Sequence, residues 1–383
     1  MFKKSLAALA VLGVAAGYAS AANVTLYGVA DLGLMYNHSK VETGNTATKT
    51  DSFGLESGIN AGSRFGLKGT EELGNGLTVG FKLENSFNAD DGTLDKSGRL
   101  FHRESLLFVQ SAWGELSFGR TGGLDAGTGR YNLMGSGASA FGTGWDQVGN
   151  STGILLGTGD RMDNTITYKS PNFAGFNVYA QVSLKKDNKA EDIDDTGTGD
   201  TAVDGAEGSS DADRYYAVAA TYGAGALKAG LVYSQTDYSR FTVNAGDDDE
   251  GQAVSAYVNY DFGMVKPMLA VQYWDGGLAK TNAVYYKNEG GQTKGYGVVA
   301  SAVAPLVGGT FKASVGYNDY EDLQTKTYDG NNLMVGVGYE YPLSKRTSVY
   351  TAAGYNQIEK DKVAGGTDKE KTTEVMVGMI HKF

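Results

Sequence analysis

The feature that most constrains this chain is a two-residue alternation of apolar and polar side chains that returns along nearly its whole length. Leu77, Val79, Phe81, Leu83 and Phe87 oppose Thr78, Lys82, Glu84 and Ser86. Phe176, Val178, Ala180, Val182 and Leu184 oppose Asn177, Tyr179, Gln181 and Ser183, and Val254, Ala256, Val258 and Tyr260 oppose Ser255, Tyr257 and Asn259. The pattern recurs at Phe311 to Tyr317, against Lys312, Ser314 and Asn318, and at Leu333 to Tyr341. Successive side chains of a strand point to opposite faces, so period two is the strand signature. Sixteen such segments start near Val24, Ile59, Leu77, Arg99, Glu115, Asp163, Phe176, Arg214, Ala226, Gln252, Met264, Lys294, Thr310, Asn331, Thr347 and Thr373. Strands with one apolar face must bury it, either against a second sheet or in lipid.

The connections decide between those two. Short turns rich in residues that tolerate positive φ, such as Gly74-Asn75-Gly76, Gly223-Ala224-Gly225, Asp261-Phe262-Gly263 and Pro342 to Arg346, alternate with long polar stretches. Those stretches run over Lys185–Asp213, Thr236–Gly251, Asp275–Thr293, Asp319–Gly330 and Ile358–Lys371. Tyrosines collect at both ends of the apolar faces, Tyr222, Tyr260 and Tyr341 by the short turns, Tyr233, Tyr273, Tyr317 and Tyr355 by the long loops. Two aromatic rows bracketing an aliphatic band match the headgroup levels of a bilayer. An even strand count and a closed sheet follow, because an open edge cannot face lipid. A soluble sandwich explains neither the girdles nor the strand length. The expected fold is all-β, a sixteen-stranded antiparallel transmembrane barrel with short periplasmic turns and long extracellular loops.

The amino terminus agrees. Lys3 and Lys4 precede an apolar run from Leu6 to Ala16 and an Ala19-Ser20-Ala21 cleavage site, predicting a secretory signal peptide over residues 1–21 and a barrel domain over 22–383. The chain contains no Cys, which excludes disulfides, thiolate metal sites, Cys nucleophiles and lipid attachment through a lipobox. Its net charge of −11, with no basic tail, argues against a nucleic-acid partner. The 56 glycines make Gly-x-Gly pairs uninformative as phosphate loops. His38, His102 and His381 share no motif, and Asp192-Ile193-Asp194-Asp195-Thr196-Gly197 lacks the twelfth-position Glu of a calcium loop, having Val203 there. No enzyme, cofactor or metal site is expected.

Four segments carry a family resemblance. Asn23-Val24-Thr25-Leu26-Tyr27-Gly28-Val29-Ala30-Asp31, Ser63 to Leu77, Trp113 to Arg120 and Ser170 to Phe176 resemble the corresponding parts of betaproteobacterial and neisserial general porins. The terminal Phe383, ending an alternating strand from Glu374, resembles the sorting signal of bacterial outer-membrane proteins. The resemblance implies a Gram-negative outer membrane, a homotrimer of barrels set in lipid and lipopolysaccharide, and a third long loop folded inward to narrow each pore. Residues 121–160 form that loop, and a connection so long and so aperiodic is usually functional or disordered.

A passive channel for ions and small hydrophilic solutes is therefore the expected function, with selectivity set by lumen-facing charge. The candidate constriction residues are Arg64, Lys68, Lys82, Arg103, Arg120 and Arg161 on the strands, with Asp125, Arg130 and Asp146 in the inward loop. Lys228, Lys266, Lys312 and Lys382 also occupy polar faces. Arg103 and Arg161 resemble by position the basic cluster of general porins, and Asp125 and Asp146 are expected to oppose it. Basic side chains at the narrowest point favour anions. The acidic stretches Lys185–Asp213 and Asp247–Glu250 lie outside the bore and are screened beyond roughly 8–10 Å. They motivate the alternative role, a surface adhesin or receptor. Tyr131, Phe141 and Trp145 are too few for the aromatic slide of a substrate-specific channel.

Overall fold

The computed structural model describes residues 23–96, 98–146, 148–149, 151–157, 161–187, 207, 212–238, 250–278, 292–323, 328–362 and 365–383. The leader, most of Lys185–Asp213 and Asp247 to Asp249 lie outside the described residues, as does the calcium-like Asp192–Gly197 stretch.

The described chain is nearly all strand: β1 (Thr25–Thr43), β2 (Thr46–Ser57), β3 (Arg64–Gly74), β4 (Leu77–Ser86), β5 (Glu104–Ser111), β6 (Gly114–Gly122), β7 (Arg161–Lys169), β8 (Phe176–Ser183) and β9 (Arg214–Ala224), then β10 (Leu227–Asp237), β11 (Glu250–Tyr260), β12 (Lys266–Leu278), β13 (Gln292–Leu306), β14 (Gly309–Asp322), β15 (Tyr328–Pro342), β16 (Thr347–Lys362) and β17 (Thr367–Lys382). Every pairing is antiparallel, and β1 against β17 closes the sheet into a barrel. Seventeen strands fill sixteen wall positions, because β2 and β3 are two halves of one position. Both lie on the same side of β1, β2 along its upper half from Leu32 to Thr43 and β3 along its lower half from Thr25 to Val29. Between them residues 58–63 leave the wall.

The alternation marks the two faces. Val218, Leu231, Val254, Leu269, Val315, Val335 and Val377 are exposed on the outside, while their sequence neighbours are buried or line the lumen. The outer girdle is built across strands. Tyr233 and Tyr273 flank Val254, Tyr273 stands opposite Tyr296, and the Tyr296 and Tyr317 rings lie 6.5 Å apart. At the short-turn end Phe176 stacks on Tyr222 at 4.5 Å, and Tyr260 on Phe262 at 4.6 Å. The Gly74-Asn75-Gly76 turn takes positive φ at all three residues, as its composition requires.

Two of the expected long loops are corrected. β14 and β15 continue through most of Asp319–Gly330, and β16 and β17 through most of Ile358–Lys371, so each connection is a hairpin with a short tip. His38 stands within β1, and the strand expected from Arg99 starts at Glu104. Above the membrane both faces of a ribbon meet water, so the backbone ladder persists after the apolar alternation has ended.

Barrel closure also involves the last residue. Phe383 and Gly28 exchange backbone N–H···O bonds of 3.0 and 3.1 Å. A Cβ at Gly28 would sit 2.2 Å from Phe383 Cζ and 2.7 Å from the Arg64 carbonyl oxygen. Gly28→Val should lower the stability of the folded barrel by about 1–3 kcal/mol through overpacking at the seam. A urea midpoint measured on refolded protein checks this, and an unchanged midpoint contradicts it.

Candidate functional site: the pore constriction

The described residues of the connection between β6 and β7, from Gly123 to Gly157, fold into the barrel and pack on the inner wall. Leu124, Leu133, Met134, Ile154 and Leu155 are buried against Tyr179, Tyr215, Val232, Val299 and Met334. Inside a barrel the loop backbone still needs hydrogen-bond partners, and wall amides supply them. Gln181 Oε1 accepts from the Leu124 N–H at 3.0 Å, Asn259 Nδ2 donates to the Gly137 carbonyl at 2.7 Å, Gln272 Nε2 to Leu156 at 2.9 Å, and Asn332 Nδ2 to Gly153 at 2.9 Å. Wall glycines let the loop lie flush: a Cβ at Gly297 would meet the Ile154 carbonyl oxygen at 2.4 Å, and one at Gly336 the Gly149 nitrogen at 2.8 Å. The polar lumen row of the sequence is thus partly a cradle for this loop.

The loop tip is held from the other side by residues 58–63. Asp31, fully buried in β1, accepts the N–H groups of Asn60 at 2.8 Å and Ala61 at 2.6 Å on Oδ2, and the Tyr350 hydroxyl at 2.6 Å on Oδ1. The segment so fixed presents the Ile59 carbonyl, which accepts the Trp145 N–H at 2.6 Å. Trp145 is 1% exposed, edge-on to Tyr350 at 5.1 Å and Phe141 at 5.5 Å, with Lys312 Nζ 4.7 Å from its ring centre. Trp145 and Asp146 both take positive φ, 71° and 45°, a strained pair for non-glycine residues.

What stays open is a water-accessible cavity of about 790 Å³ between the loop and the β2–β7 wall. Glu84 organises its basic side. Arg103 Nε donates to Glu84 Oε1 at 2.8 Å, Tyr27 donates to Oε2 at 2.8 Å, and Lys82 Nζ and Arg64 Nε stand 3.4 and 3.9 Å from Oε2. Lys82 also pairs with buried Glu104. Arg161 has no ion pair among the described residues, and its buried Nε lacks a hydrogen-bond partner. Four cations therefore face two carboxylates on this wall. The loop side offers Gly127, Thr128, Asn132, Ser136 and Thr143, with Asp146 as its acid, while Glu56 and Asp95 line the cavity from β2 and from the β4–β5 loop.

The structure thus brings together Arg64, Lys82, Arg103, Arg161 and Asp146 on one cavity, and places the other expected residues elsewhere. Asp125 is 8% exposed and accepts the Tyr215 hydroxyl at 2.8 Å, facing the opposite wall. Arg130 grips Glu115 through Nε at 2.6 Å and Nη2 at 2.7 Å and covers the Phe108 ring at 3.7 Å, so it ties the loop to the wall. Arg120 donates to Asp163 at 2.6 Å and to the His102 carbonyl at 2.6 Å. Lys68 lies below the cavity, 5.1 Å from the Tyr27 ring centre. Asp125, Arg120, Arg130 and Lys68 thus stand outside this cavity, each against a partner contributed by another segment. Glu104 and the 58–63 segment had no signal in the sequence beyond a residue on a polar face and a Gly-rich interruption.

His102 does meet a Ser and an Asp. Its Nε2 is 2.8 Å from Ser86 Oγ and 3.4 Å from Asp95, while Nδ1 faces Asn85 at 3.0 Å. These bonds hold the Asp95 carboxyl below its ordinary range, with His102 the larger influence and Ser86 the smaller. A nucleophilic triad needs the carboxylate on the imidazole nitrogen away from the Ser; here an amide occupies that position and the Ser is buried.

A closed antiparallel barrel with an inward loop over a charged bore is the architecture of a porin. The chain matches the family model of Gram-negative porins over residues 7–361 and belongs to that family. An outer membrane porin of Bordetella pertussis is 32% identical to it, and the major outer membrane protein P.IB of Neisseria meningitidis serogroup B is 28% identical, each aligned over the whole of both chains. Among solved structures it is similar to the anion-selective porin from Comamonas acidovorans, at 25% identity and a TM-score of 0.66, covering 94% of this chain and all of that one. It is a general diffusion porin of the Gram-negative outer membrane.

Proposed function

We propose that this porin passes small anions in preference to cations, because Arg64, Arg103 and Arg161 converge on one wall of the bore. The observation that carries the reading is the charge imbalance there: four cations share Glu84 and Glu104, and Arg161 is left without a carboxylate. An anion crossing the constriction is attracted along this basic wall, and a cation passing the same wall meets like charge. With Asp146 on the loop side, the field runs across the bore and the preference is mild. Mechanism is permeation alone, with no bond made or broken and no cofactor. Similarity to the anion-selective Comamonas porin supports the sign. Family membership supports a homotrimer, export by cleavage of residues 1–21, and a lipopolysaccharide-containing bilayer as the surroundings.

The zero-current potential of the reconstituted channel under a salt gradient tests the proposal. An anion-directed potential supports it, and a cation-directed one ends it. The same measurement has a pH dependence. Desolvation inside the barrel pushes the Asp146 carboxyl above its ordinary range, the contact with Glu374 opposing this. A raised value delays ionisation of the loop tip, so negative charge appears there as pH rises through a range above the ordinary carboxylate one. Anion preference should therefore decline as pH rises through that range, and Asp146→Asn should flatten the decline. A preference that rises with pH contradicts the assignment.

A further inference from the structure

The constriction loop leaves the wall at Gly122, the last residue of β6, and rejoins it at Arg161, the first of β7. Its two stems do not pair evenly. Gly119 stands opposite Thr165 and Thr121 opposite Met162, so Asp163 and Asn164 of β7 face Arg120 alone, which makes a β-bulge. Gly119 and Asn164 carry the irregularity at φ of 123° and 52°, and a Cβ at Gly119 would lie 2.0 Å from the Ser105 carbonyl oxygen. The Asp163 backbone is fixed on its other side. Its N–H donates to the Lys186 carbonyl at 2.9 Å, and its carbonyl accepts from Ser183 Oγ at 2.6 Å.

From that base the buried Asp163 carboxylate gathers two arginines of different segments. Arg120 Nη1 donates to Oδ1 at 2.6 Å and Arg99 Nη1 to Oδ2 at 2.9 Å, while Arg99 Nη2 also pairs with Asp187, beyond β8. Arg120 Nε reaches the His102 carbonyl at 2.6 Å. One carboxylate at the neck of the loop thus joins both stems to the β4–β5 connection and to the segment after β8. It stands two residues from Arg161, which lines the bore, and Arg120 is near enough to oppose the Arg161 charge.

We propose that Asp163 is a specificity-determining residue, which limits the anion preference by holding Arg120 and Arg99 at the neck, out of the permeation path. A guanidinium does not shed its proton, and a buried charge that loses its counter-charge is costly, so it turns to water. Without the Asp163 carboxylate Arg99 keeps Asp187, whereas Arg120 loses its 2.6 Å ion pair. The cavity that Arg161 lines offers it water. The expected sign is the reverse of what a merely loosened clasp gives, because the bore gains a cation instead of losing definition. The inference rests on the reading that the basic wall sets selectivity.

Zero-current potentials of the reconstituted full channel under a salt gradient test it. Asp163→Asn should shift the anion-to-cation permeability ratio upward by about fivefold, the step given by one unit charge about 4 Å from a permeating ion in water. Asp163→Glu should keep the wild-type ratio. Asp163→Asn combined with Arg120→Gln should return to it, because the released guanidinium is gone. Phenylglyoxal labelling read by mass spectrometry follows the release directly: Arg120 should be protected in the wild type and modified in Asp163→Asn. The wild-type half of that measurement needs no variant to fold. An unshifted or cation-shifted Asp163→Asn, a double variant that keeps the rise, or modification of Arg120 in the wild type overturns the proposal. A cation-directed potential in the wild type would end the selectivity reading alone, since the role of Asp163 is judged from the difference between variant and wild type.

Discussion

A channel carrying Arg64→Glu and Arg161→Glu should reverse its zero-current potential and become cation-preferring. The two substitutions turn the basic wall from two net positive charges to two net negative ones, given the pairing of Arg103 and Lys82 with Glu84 and Glu104. A unit charge about 4 Å from a permeating ion in water is worth about 1 kcal/mol, or about fivefold in relative permeability. Screening at physiological salt acts over about 8 Å, so the wall still governs an ion inside the constriction. Both side chains face the water-filled cavity, so reversal leaves no charge in a dry interior. Arg120→Gln and Arg130→Gln are the matched controls. Their guanidinium groups are held by Asp163 and Glu115 away from the cavity, and selectivity should stay close to wild type. A double variant that keeps its anion preference, or a control that loses it, would remove the Arg64–Arg161 wall from the account.

The second large effect is expected at the loop tip. Trp145→Ala removes a fully buried indole from between Tyr350 and Phe141, a loss of about 3–5 kcal/mol by analogy with other core aromatics. The strained backbone at Trp145 and Asp146 is retained only because that indole is anchored, so the tip should leave the 58–63 segment. Single-channel conductance should rise and its open-state noise increase, while the barrel itself stays folded. Asp31→Ala acts on the same element from the wall side. It strands the N–H groups of Asn60 and Ala61 and the Tyr350 hydroxyl, each at about 1–3 kcal/mol if no water replaces the carboxylate. Its conductance should change in the same direction as that of Trp145→Ala. Unaltered conductance in both variants would mean that the tip does not set the bore.

The barrel was legible because its wall strands repeat a simple rule: alternate residues meet hydrocarbon, and those between them line the lumen. The same rule exposed Arg64 as an inward cation, while Arg103 and Arg161 were indicated by the family resemblance. It was silent on Arg120 and Arg130, whose partners Asp163 and Glu115 come from other strands, since period two reports a face and not a neighbour. It also misjudged Asp319–Gly330 and Ile358–Lys371, where pairing outlasts apolar alternation. The roles of Gln181, Asn259, Gln272 and Asn332 were hidden for a related reason. A polar side chain bonding a loop backbone and one bonding water look alike in sequence.

The divided wall position has a consequence for how such barrels diversify. Leu32 stands opposite Ser57, and three residues earlier Val29 stands opposite Arg64, so the second wall position carries four residues more than its neighbour across that step. Four is even. Residues above and below the interruption keep the same inside–outside parity: Phe53 and Leu55 face out on one side of it, and Phe65 and Leu67 continue that parity on the other. An odd surplus would have turned one half of the strand inside out. Insertions counted in pairs are thus a silent currency for a closed sheet. They leave strand number and girdle placement untouched while growing a ledge into the lumen, and lineages of this architecture are expected to vary their bores by even-numbered steps.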